Sequence, residues 1–296
     1  MKLPLAYKNK YLPAIVDNSV LIYFRPLFEQ VHNECGQASG IGMNFTYEID
    51  FLRNLSANVE ENQYPTHYCW NFENGGNGWY GVSYFHSFEI LKINGTPNVA
   101  DYGGMSAGGP ERWLSGYQEY FNGMHNRINN YYAIKVGTPD GLLTLKHWLN
   151  DHIDGSDHGG LASIYSDSGW DTHLLPEGTP EEGKHVIIEW SSVVGHALTI
   201  CGFNDSIRYD YNGDGIYTND VDINEDDLIN MKDWEIGGLK FANNYWQGTI
   251  YADSGFCYMM YKTLADEFGD GGLWNNEVHV VKPKEEYSPL LTARAV

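Results

Sequence analysis

The chain is poor in three features that would narrow its class at once: cysteine, basic residues and long apolar runs. It has four cysteines in 296 residues, too few for the disulfide frameworks that hold small secreted domains together. Lysine and arginine number 18 against 39 acidic residues, and the formal charge of −21 argues against a nucleic-acid or anionic-membrane partner. No run of about 20 apolar residues is present, so the sequence predicts no membrane span.

What the chain does have is a globular composition with its charge concentrated in one place. Hydrophobic residues make up 42% of it, which argues against a disordered protein. The length suits one large domain or two lobes that share a cleft. We expect a tail over residues 1–11 without the apolar segment of a signal peptide, a domain over 12–280 and a linker over 281–296. Ten of the 39 acidic residues lie between Asp205 and Glu235, so much of the negative charge has a local cause.

The apolar pattern changes from helical to sheet-like along the chain. Ile41, Phe45 and Ile49 recur every three or four residues, which predicts an amphipathic helix from position 36 to about position 55. Further helices are predicted over 82–93 and 142–149. Short apolar runs predict strands of one antiparallel sheet over 186–190, 197–201, 238–242 and 255–260. A helical first half and a sheet-rich second half indicate an α+β fold of two lobes, with a reactive site at the seam.

The residue types needed for thiol-based acyl transfer occur in one chain order. Cys35 lies at the N-terminus of the first predicted helix, where the helix dipole favours the attacking thiolate. His196 opens an apolar strand and would take the thiol proton, and Asn244 would hold the imidazole in a useful tautomer. Gln30 carries an amide that can form an oxyanion hole with the backbone N–H of Cys35. Trp246 would shield the bond between histidine and asparagine from water.

The cysteine count permits two disulfides without requiring them. The four residues are Cys35, Cys69, Cys201 and Cys257. If Cys35 is a free nucleophile, three cysteines remain, and at least one of them is also a free thiol unless it pairs with another molecule. Cys201 and Cys257 lie on predicted strands, so we expect buried free thiols there.

Several segments, taken in order, resemble those of the papain-like cysteine peptidases. The matching strings are Leu12-Pro13 with Val16-Asp17, Gln30 followed by Cys35 and a helix, Asn74-Gly75-Gly76 followed by Trp79 and a helix, Gly195-His196-Ala197, and Asn244-Tyr245-Trp246. The resemblance covers roughly residues 12–265, with many insertions. The resemblance implies a helical N-terminal lobe, an antiparallel sheet or barrel in the C-terminal lobe, and hydrolysis of peptide or protein substrates. It also implies a substrate cleft, lined by Asn74, Gly75, Gly76, Gly195 and Trp246. The similarity is to a divergent bacterial branch, which implies a secreted, periplasmic or cell-surface location.

The nucleophile segment can be aligned with the family in two ways. The family usually has Cys-Gly-Ser-Cys-Trp with the second cysteine as nucleophile, whereas this chain has Cys35-Gly36-Gln37-Ala38-Ser39. A literal alignment puts Ala38 at the nucleophile position and implies an inactive homologue that binds a peptide or a partner. The other alignment makes Cys35 the nucleophile with a smaller change in the spacing from Gln30, and we favour it. A third hypothesis, a carbohydrate-binding module, rests on the 15% aromatic content.

An acidic insertion over residues 205–237 separates the histidine from the asparagine. It contains two strings with oxygen-bearing residues at alternate positions, as in EF-hand calcium loops, and Asp at the last position of the second string resembles dockerin repeats. The first string offers Asp210, Asn212, Asp214, Ile216 through its carbonyl group, and Asp220 or Asp222; the second offers Asp222, Asn224, Asp226, Leu228 through its carbonyl group, Asn230 and Asp233. We expect one or two structural Ca²⁺ ions and no organic cofactor, with a solvated acidic loop as the alternative.

Overall fold

The computed structural model describes residues 3, 11–113, 116–166, 171–245, 253–287 and 293. The helices in these residues are α1 (Cys35–Gln37), α2 (Thr46–Arg53), α3 (Thr66–Trp70), α4 (Tyr84–Ile93), α5 (Val99–Tyr102), α6 (Tyr117–Gly123), α7 (Pro139–Asp151) and α8 (Lys262–Ala265). The strands are β1 (Ile15–Asp17), β2 (Ile128–Lys135), β3 (Ala162–Ser166), β4 (Asp171–Leu174), β5 (His185–Glu189), β6 (His196–Arg208), β7 (Ile236–Ala242), β8 (Phe256–Met260) and β9 (Glu277–Pro283). Most helices precede residue 125 and most strands follow it, which agrees with the predicted α+β class.

One continuous helical run carries Cys35 as its first residue. A π-helical segment, Ala38–Phe45, joins α1 to α2, so the run extends from Cys35 to Arg53 and agrees with the helix predicted over 36–55. Every residue of the π-helical segment is buried, so the run passes through the interior of the molecule. It ends at Asn54, whose φ of 51° is the left-handed conformation that terminates many helices.

The other two predicted helices are present with different bounds, because capping residues set their starts. The Ser83 hydroxyl accepts a hydrogen bond from the N–H of Phe85, so α4 begins at Tyr84, two residues later than predicted. The Thr138 hydroxyl accepts one from the N–H of Gly141, with proline in the first helical position. The helix α7 therefore extends beyond the predicted range 142–149 at both ends.

The described strands form one sheet in the order β2-β9-β3-β6-β7-β8-β5-β4, with β1 paired to β6. The four predicted strands correspond to β5, β6, β7 and β8. They lie next to one another in the sheet, in the order β6-β7-β8-β5. The pairing of the strands is antiparallel, as predicted, except that β5 pairs with β8 in parallel. The strand β9 also extends to residue 283, three residues beyond the predicted domain end at 280.

Two main apolar clusters meet where β6 begins. One lies between α7 and the sheet and includes Trp148, Leu198 and Phe241. The other lies among the helices and includes Phe45 and Ala197. Because the neighbouring residues Ala197 and Leu198 belong to different clusters, the start of β6 lies at the seam between the lobes. None of the described helices is long and apolar enough to cross a membrane.

Two glycines allow the start of α4 to approach the central helical run closely. A Cβ atom at Gly36 would lie 2.6 Å from the carbonyl oxygen of Val82, and one at Gly40 would lie 2.8 Å from the Cβ of Tyr84. Both distances are shorter than two such atoms tolerate. The segment that includes Val82 is therefore held directly beside the first turn of the helix that begins at Cys35.

Replacing Gly36 with alanine should lower the free energy of unfolding by about 1–3 kcal/mol, because the Val82 carbonyl is main chain and cannot rotate away from the new methyl group. Urea denaturation measures the change. Gly81→Ala is the control, because its Cβ would lie 3.8 Å from the nearest atom, the carbonyl oxygen of Asn33, and should change stability by less than about 0.5 kcal/mol. Equal stability of Gly36→Ala and wild type would show that the segments can separate without cost.

Candidate active site

Cys35 and His196 come together at the seam, where they line the same two cavities. The larger cavity, of 390 Å³, is mainly apolar; it is called the apolar cavity below. The smaller one, of 180 Å³, has Gln30 and Asn33 on its wall and is called the polar cavity. Cys35 is a partly exposed free cysteine, and its Sγ lies 4.0 Å from the carbonyl oxygen of Gly195. A thiol and an imidazole from different lobes therefore face a common space.

The imidazole of His196 is held by Asn243. His196 is 5% exposed, and its Nε2 lies 2.9 Å from Asn243 Oδ1. A carbonyl oxygen can only accept, so Nε2 carries the proton in this pair, and Nδ1 is the basic nitrogen of the neutral ring. The geometry therefore fixes one tautomer of His196 and makes Nδ1 the atom that can take a proton.

The prediction that Asn244 holds the histidine was wrong by one residue. The side chain of Asn244 instead donates from Nδ2 to the carbonyl oxygen of Phe28 at 3.0 Å. The backbone carbonyl oxygen of Asn244 accepts a hydrogen bond from the N–H of Gln30 at 2.8 Å. Asn244 thus ties the sheet lobe to the loop before the nucleophile. The ring of Tyr245 packs against His196, with 5.9 Å between ring centroids, at the position expected for Trp246. Trp246 itself lies outside the described residues.

The environment of the Cys35 thiol works against ionisation on its own. Burial is the largest influence and raises the pKa of Cys35, and the neighbouring charge of Glu34 acts in the same direction. Backbone hydrogen bonds from Ala197 and Gly36 lower the pKa and offset part of this effect. A thiolate at this position therefore needs a positive partner, and a protonated His196 is the cation that the cavity offers.

Gln30 is placed beside the nucleophile, as predicted. It is 7% exposed, lines the polar cavity together with Cys35, and donates from Nε2 to the carbonyl oxygen of His32 at 3.0 Å. An amide nitrogen has two hydrogens, and this bond uses one of them. The second hydrogen can stabilise a negative oxygen in the cavity.

Ala38 takes no part in the site. It is 1% exposed in the interior of the helical run, its N–H donates to the carbonyl oxygen of Glu34 at 2.8 Å, and it lines neither cavity. Position 35, one turn earlier, is the position that shares both cavities with His196. The geometry therefore favours the alignment in which Cys35 is the nucleophile.

The segment beside the nucleophile is not the glycine turn that we predicted. Asn74, Gly75 and Gly76 form a turn away from both cavities: Asn74 is buried, donates to Asn71 Oδ1 and Pro110 O, and accepts from the N–H of Gly76. Gly81 lines both cavities instead, together with Gly195 as predicted. The sequence feature that could have indicated Gly81 is its position two residues before Ser83, the residue that caps α4.

The apolar cavity has little polar surface. Besides Cys35 and His196, its side chains are Val82, Ser83, Phe85, Tyr165, Val194 and Trp274. The Tyr165 hydroxyl is 2.6 Å from Ser83 Oγ and accepts a hydrogen bond from the N–H of Tyr84, so it is not free to pair with a ligand charge. Among the described residues, no carboxylate, lysine or arginine side chain belongs to this lining. The cavity suits an uncharged, apolar side chain.

In the acidic insertion, the carboxylates accept hydrogen bonds from backbone N–H groups in a pattern that repeats. Asp233, the last residue of the second predicted loop, is fully buried and accepts from the N–H groups of Ile223 and Asn230, positions 2 and 9 of that loop. In the first loop, the equivalent N–H groups of Tyr211 and Thr218 donate to Glu235, which is also fully buried.

Glu235 therefore occupies the place that we assigned to Asp220 or Asp222. Asp220 is exposed, and its N–H donates to Thr218 Oγ1, whereas Asp222 accepts from the N–H groups of Asp226 and Asp227 in the second loop. The predicted ligands at positions 1 and 5 of the first loop, Asp210 and Asp214, accept N–H groups of their own loop. Glu235 follows the loop by too many residues for a twelve-residue motif to include it.

Other predicted calcium ligands also occupy equivalent positions in the two loops. Asn212 and Asn224 accept from the N–H groups of Asp214 and Asp226 in the first and second loops. Ile216 and Leu228, expected to contribute only carbonyl oxygens, expose their side chains to solvent. Asn230 caps a short helical turn by accepting from the N–H of Lys232. Among the described residues, no three His, Cys, Asp or Glu side chains form a cluster that could hold a metal by themselves.

Comparison with known proteins places the fold. Digestive procathepsin L 3 of the Tenebrio molitor larval midgut gives a TM-score of 0.56 at 11% identity, over 95% of this chain and 73% of that chain. Xylellain, a cysteine protease from Xylella fastidiosa, gives 0.55 at 15% identity, over 94% and 91%. The bromelain protease from Ananas comosus, in complex with the E64 inhibitor, gives 0.51 at 12%, over 91% and 99%. No protein-family model and no curated protein matches the sequence.

The class that fold and cleft define is the papain-like α+β fold, whose solved neighbours are cysteine proteases. The helical lobe and the sheet lobe of this chain correspond to the two lobes that we expected. At 10–15% identity the likeness is one of fold, and the chemistry has to be argued from the residues of this chain.

Iodoacetamide should modify one cysteine of the native protein, and that cysteine should be Cys35. Cys69, Cys201 and Cys257 are free but fully buried, and burial raises the pKa of each, so they stay neutral and inaccessible. Intact-mass analysis and peptide mapping measure the result, with the urea-unfolded protein as the control that should take up four groups. Labelling of another cysteine before Cys35 would contradict this assignment.

Proposed function

We propose that the protein is a cysteine peptidase whose nucleophile is Cys35. The observation that carries the proposal is the shared cavity of Cys35 and His196, in which Asn243 fixes the histidine tautomer. The papain-like fold supports the same reaction class. Gln30 and the backbone N–H of Cys35 are the proposed oxyanion donors, because both lie at the polar cavity.

The proposed reaction begins with transfer of the thiol proton of Cys35 to Nδ1 of His196. The thiolate attacks the peptide carbonyl carbon, and the amide of Gln30 and the N–H of Cys35 stabilise the oxygen that becomes negative. The imidazolium then gives its proton to the leaving amine, which leaves a thioester on Cys35. A water molecule, deprotonated by His196, attacks the thioester, the acid product leaves, and the proton returns to the thiol.

The proposed substrate is a peptide with an apolar side chain next to the bond that is cleaved. The apolar cavity adjoins Cys35 and is lined by Val82, Phe85, Tyr165 and Trp274, so a leucine or aromatic side chain gains free energy from leaving water there. A carboxylate or ammonium group would be desolvated without a partner of opposite charge. Paired fluorogenic peptides that differ in this one side chain are therefore suitable substrates for a test.

Replacing Cys35 with serine should abolish hydrolysis of such a peptide. Asn243→Ala should lower kcat by about tenfold or more, because the imidazole of His196 loses the bond that orients it. Asn244→Ala is the matched control: it removes only the bond to the Phe28 carbonyl and should cost less. Steady-state kinetics measure all three. A greater loss of kcat with Asn244→Ala than with Asn243→Ala would assign the orienting role to Asn244. If the wild-type protein is labelled at Cys35 but hydrolyses no peptide, the result would favour a peptide-binding module.

We also propose that the acidic insertion binds structural Ca²⁺. Three features support this: the repeated spacing of oxygen donors, the matched acceptor patterns of Glu235 and Asp233, and the burial of both carboxylates. Each carboxylate oxygen that accepts an N–H keeps a second lone pair for a cation. The donor set is mixed, with carboxylates, Asn amide oxygens and main-chain carbonyls, and such hard oxygen ligands suit calcium.

The position of the insertion gives the proposed ion a structural role. It lies at the far end of the hairpin of β6 and β7, whose near end carries His196 and Asn243. An ion there would neutralise carboxylates that otherwise repel one another. The proposed working compartment is outside the cytosol, where calcium is abundant; the free cysteines are compatible with it because three of them are buried.

Calcium should raise the melting temperature of protein that has first been treated with a chelator. Glu235→Gln should weaken calcium binding about tenfold or more, because the first loop loses a charged ligand that it draws from outside its own twelve residues. Asp220→Asn, at an exposed position, is the control and should bind like wild type. Isothermal titration with Ca²⁺ and differential scanning calorimetry give both quantities. The proposal fails if calcium changes neither the heat of titration nor the melting temperature. If only Asp220→Asn binds calcium weakly, Asp220 and not Glu235 is the ligand of the first loop.

A further inference from the structure

Two buried ionisable side chains next to the nucleophile have no part in the reaction described so far. Glu34 precedes Cys35 in the chain, and His67 lies on α3. Their side chains are 2% and 0% exposed, and His67 Nε2 lies 3.0 Å from Glu34 Oε2, which is ion-pair distance without the geometry of a hydrogen bond. Burying two such groups is costly unless they compensate each other, so their presence at this place calls for a local reason.

Glu34 connects α3 to the loop that carries Gln30. Its other oxygen, Oε1, accepts a hydrogen bond from the N–H of Val31 at 3.1 Å. The carboxylate therefore closes the loop of residues 31–34 on itself while its second oxygen contacts His67. Any shift of this carboxylate moves both the loop and the first residue of the helical run.

His67 also supports the loop through His32. The rings of His67 and His32 pack edge to face with centroids 5.5 Å apart, and Trp70 packs on both rings. On the other side of His32 is Gly78, where a Cβ atom would lie 2.4 Å from the imidazole. His32 is thus held on two sides, and its carbonyl oxygen is the acceptor that fixes the amide of Gln30.

We propose that Glu34 and His67 form a positioning pair that holds the Gln30 amide and the backbone N–H of Cys35 in the geometry that binds the oxyanion. The proposal rests on the peptidase function proposed above. The contacts run from His67 through Glu34 to Val31 and Cys35, and from His67 through the His32 ring and carbonyl to Gln30. Neither side chain belongs to the described lining of the apolar or the polar cavity, so the proposed role is one of position and not of contact with the substrate.

The test compares His67→Leu with His67→Gln. Leucine removes the contact with Glu34, whereas glutamine can donate to the carboxylate from its amide, so glutamine should rescue most of the loss. We expect His67→Leu to lower kcat about tenfold or more, as misplaced oxyanion donors would, with less than a twofold change in KM. A peptide aldehyde, which forms a tetrahedral adduct with the thiol, should bind more weakly by the same factor. The rate of alkylation by iodoacetamide, which forms no oxyanion, should stay within about twofold of wild type.

A double-mutant cycle decides whether the pair acts through Gln30. If it does, Gln30→Ala with His67→Leu should be little worse in kcat than Gln30→Ala alone. Fully additive losses would overturn the proposal, as would equal losses in aldehyde binding and alkylation, which would indicate general damage to the fold. If His67→Leu does not fold, the same cycle with Glu34→Gln decides the question by the same criteria.

His147→Leu is the matched control, because His147 is also a buried histidine next to a carboxylate, that of Asp151 on α7. It should lower stability without changing kcat or the affinity for the aldehyde. The two proposals can fail separately. A wild-type protein that neither hydrolyses peptides nor reacts at Cys35 contradicts the peptidase function, whereas active wild type with an equally active His67→Leu contradicts only the positioning pair.

Discussion

The register of β6 against β7 is the constraint on which the rest of the site depends. Thr199 pairs with Ala242 and Ile200 with Phe241, and side chains alternate between the two faces of a sheet. Extending this register by one pair puts Leu198 opposite Asn243, so Asn243 projects on the same face as His196. A slip of one residue would bring Asn244 to the histidine instead and would turn every core side chain of the strand outward. The chemistry is thus fixed by the same alternation that buries Phe241 and Leu239.

Local sequence signals were sufficient to place Cys35 and His196 at a common cleft, and insufficient to identify the asparagine that contacts His196. Cys35 begins a helix and His196 begins a strand, and both positions follow from apolar periodicity and chain order. Two asparagines stand side by side at 243 and 244, and the resemblance to the family, which relied on the tryptophan at 246, selected the wrong one. The alternation of side chains along β7 would have selected Asn243. Using it requires knowledge of how β6 and β7 pair, and the acidic insertion separates these two strands in the sequence. The same long-range dependence explains why the sequence did not indicate that Glu235 accepts N–H groups of the first loop.

The outer strands escaped prediction for a different reason. The sequence of β2 has asparagines and tyrosines where an alternating pattern would have apolar residues. Of its half-buried tyrosines, Tyr131 packs against the helical cluster and Tyr132 against the cluster between α7 and the sheet. The strand β9 is well buried over 278–281, yet Lys282 and Pro283 follow directly and suggest a linker. Both strands are stabilised by pairing with each other, a contact across more than 140 residues that no local window contains. In contrast, the central helix satisfies both its local pattern and its tertiary environment, and it was predicted closely. The prediction over 197–201 covers only the first part of β6, which extends to Arg208.

The arrangement also explains how a segment with a quarter of the acidic residues can be inserted between a base and the residue that orients it. The cross-strand pairs of β6 and β7 run from Thr199 to Arg208 on one strand, so the near end of the hairpin is set by many contacts before the insertion begins. Closing a longer loop at the far end adds only a small entropic cost, because that cost grows with the logarithm of loop length. Within the insertion, the carboxylates of Asp210, Asp222, Asp233 and Glu235 accept hydrogen bonds from backbone N–H groups of the insertion itself. Their negative charge is therefore held at the end of the hairpin away from the thiol, where it does not oppose formation of the thiolate. Glu34 does lie beside Cys35, and its carboxylate is buried against His67.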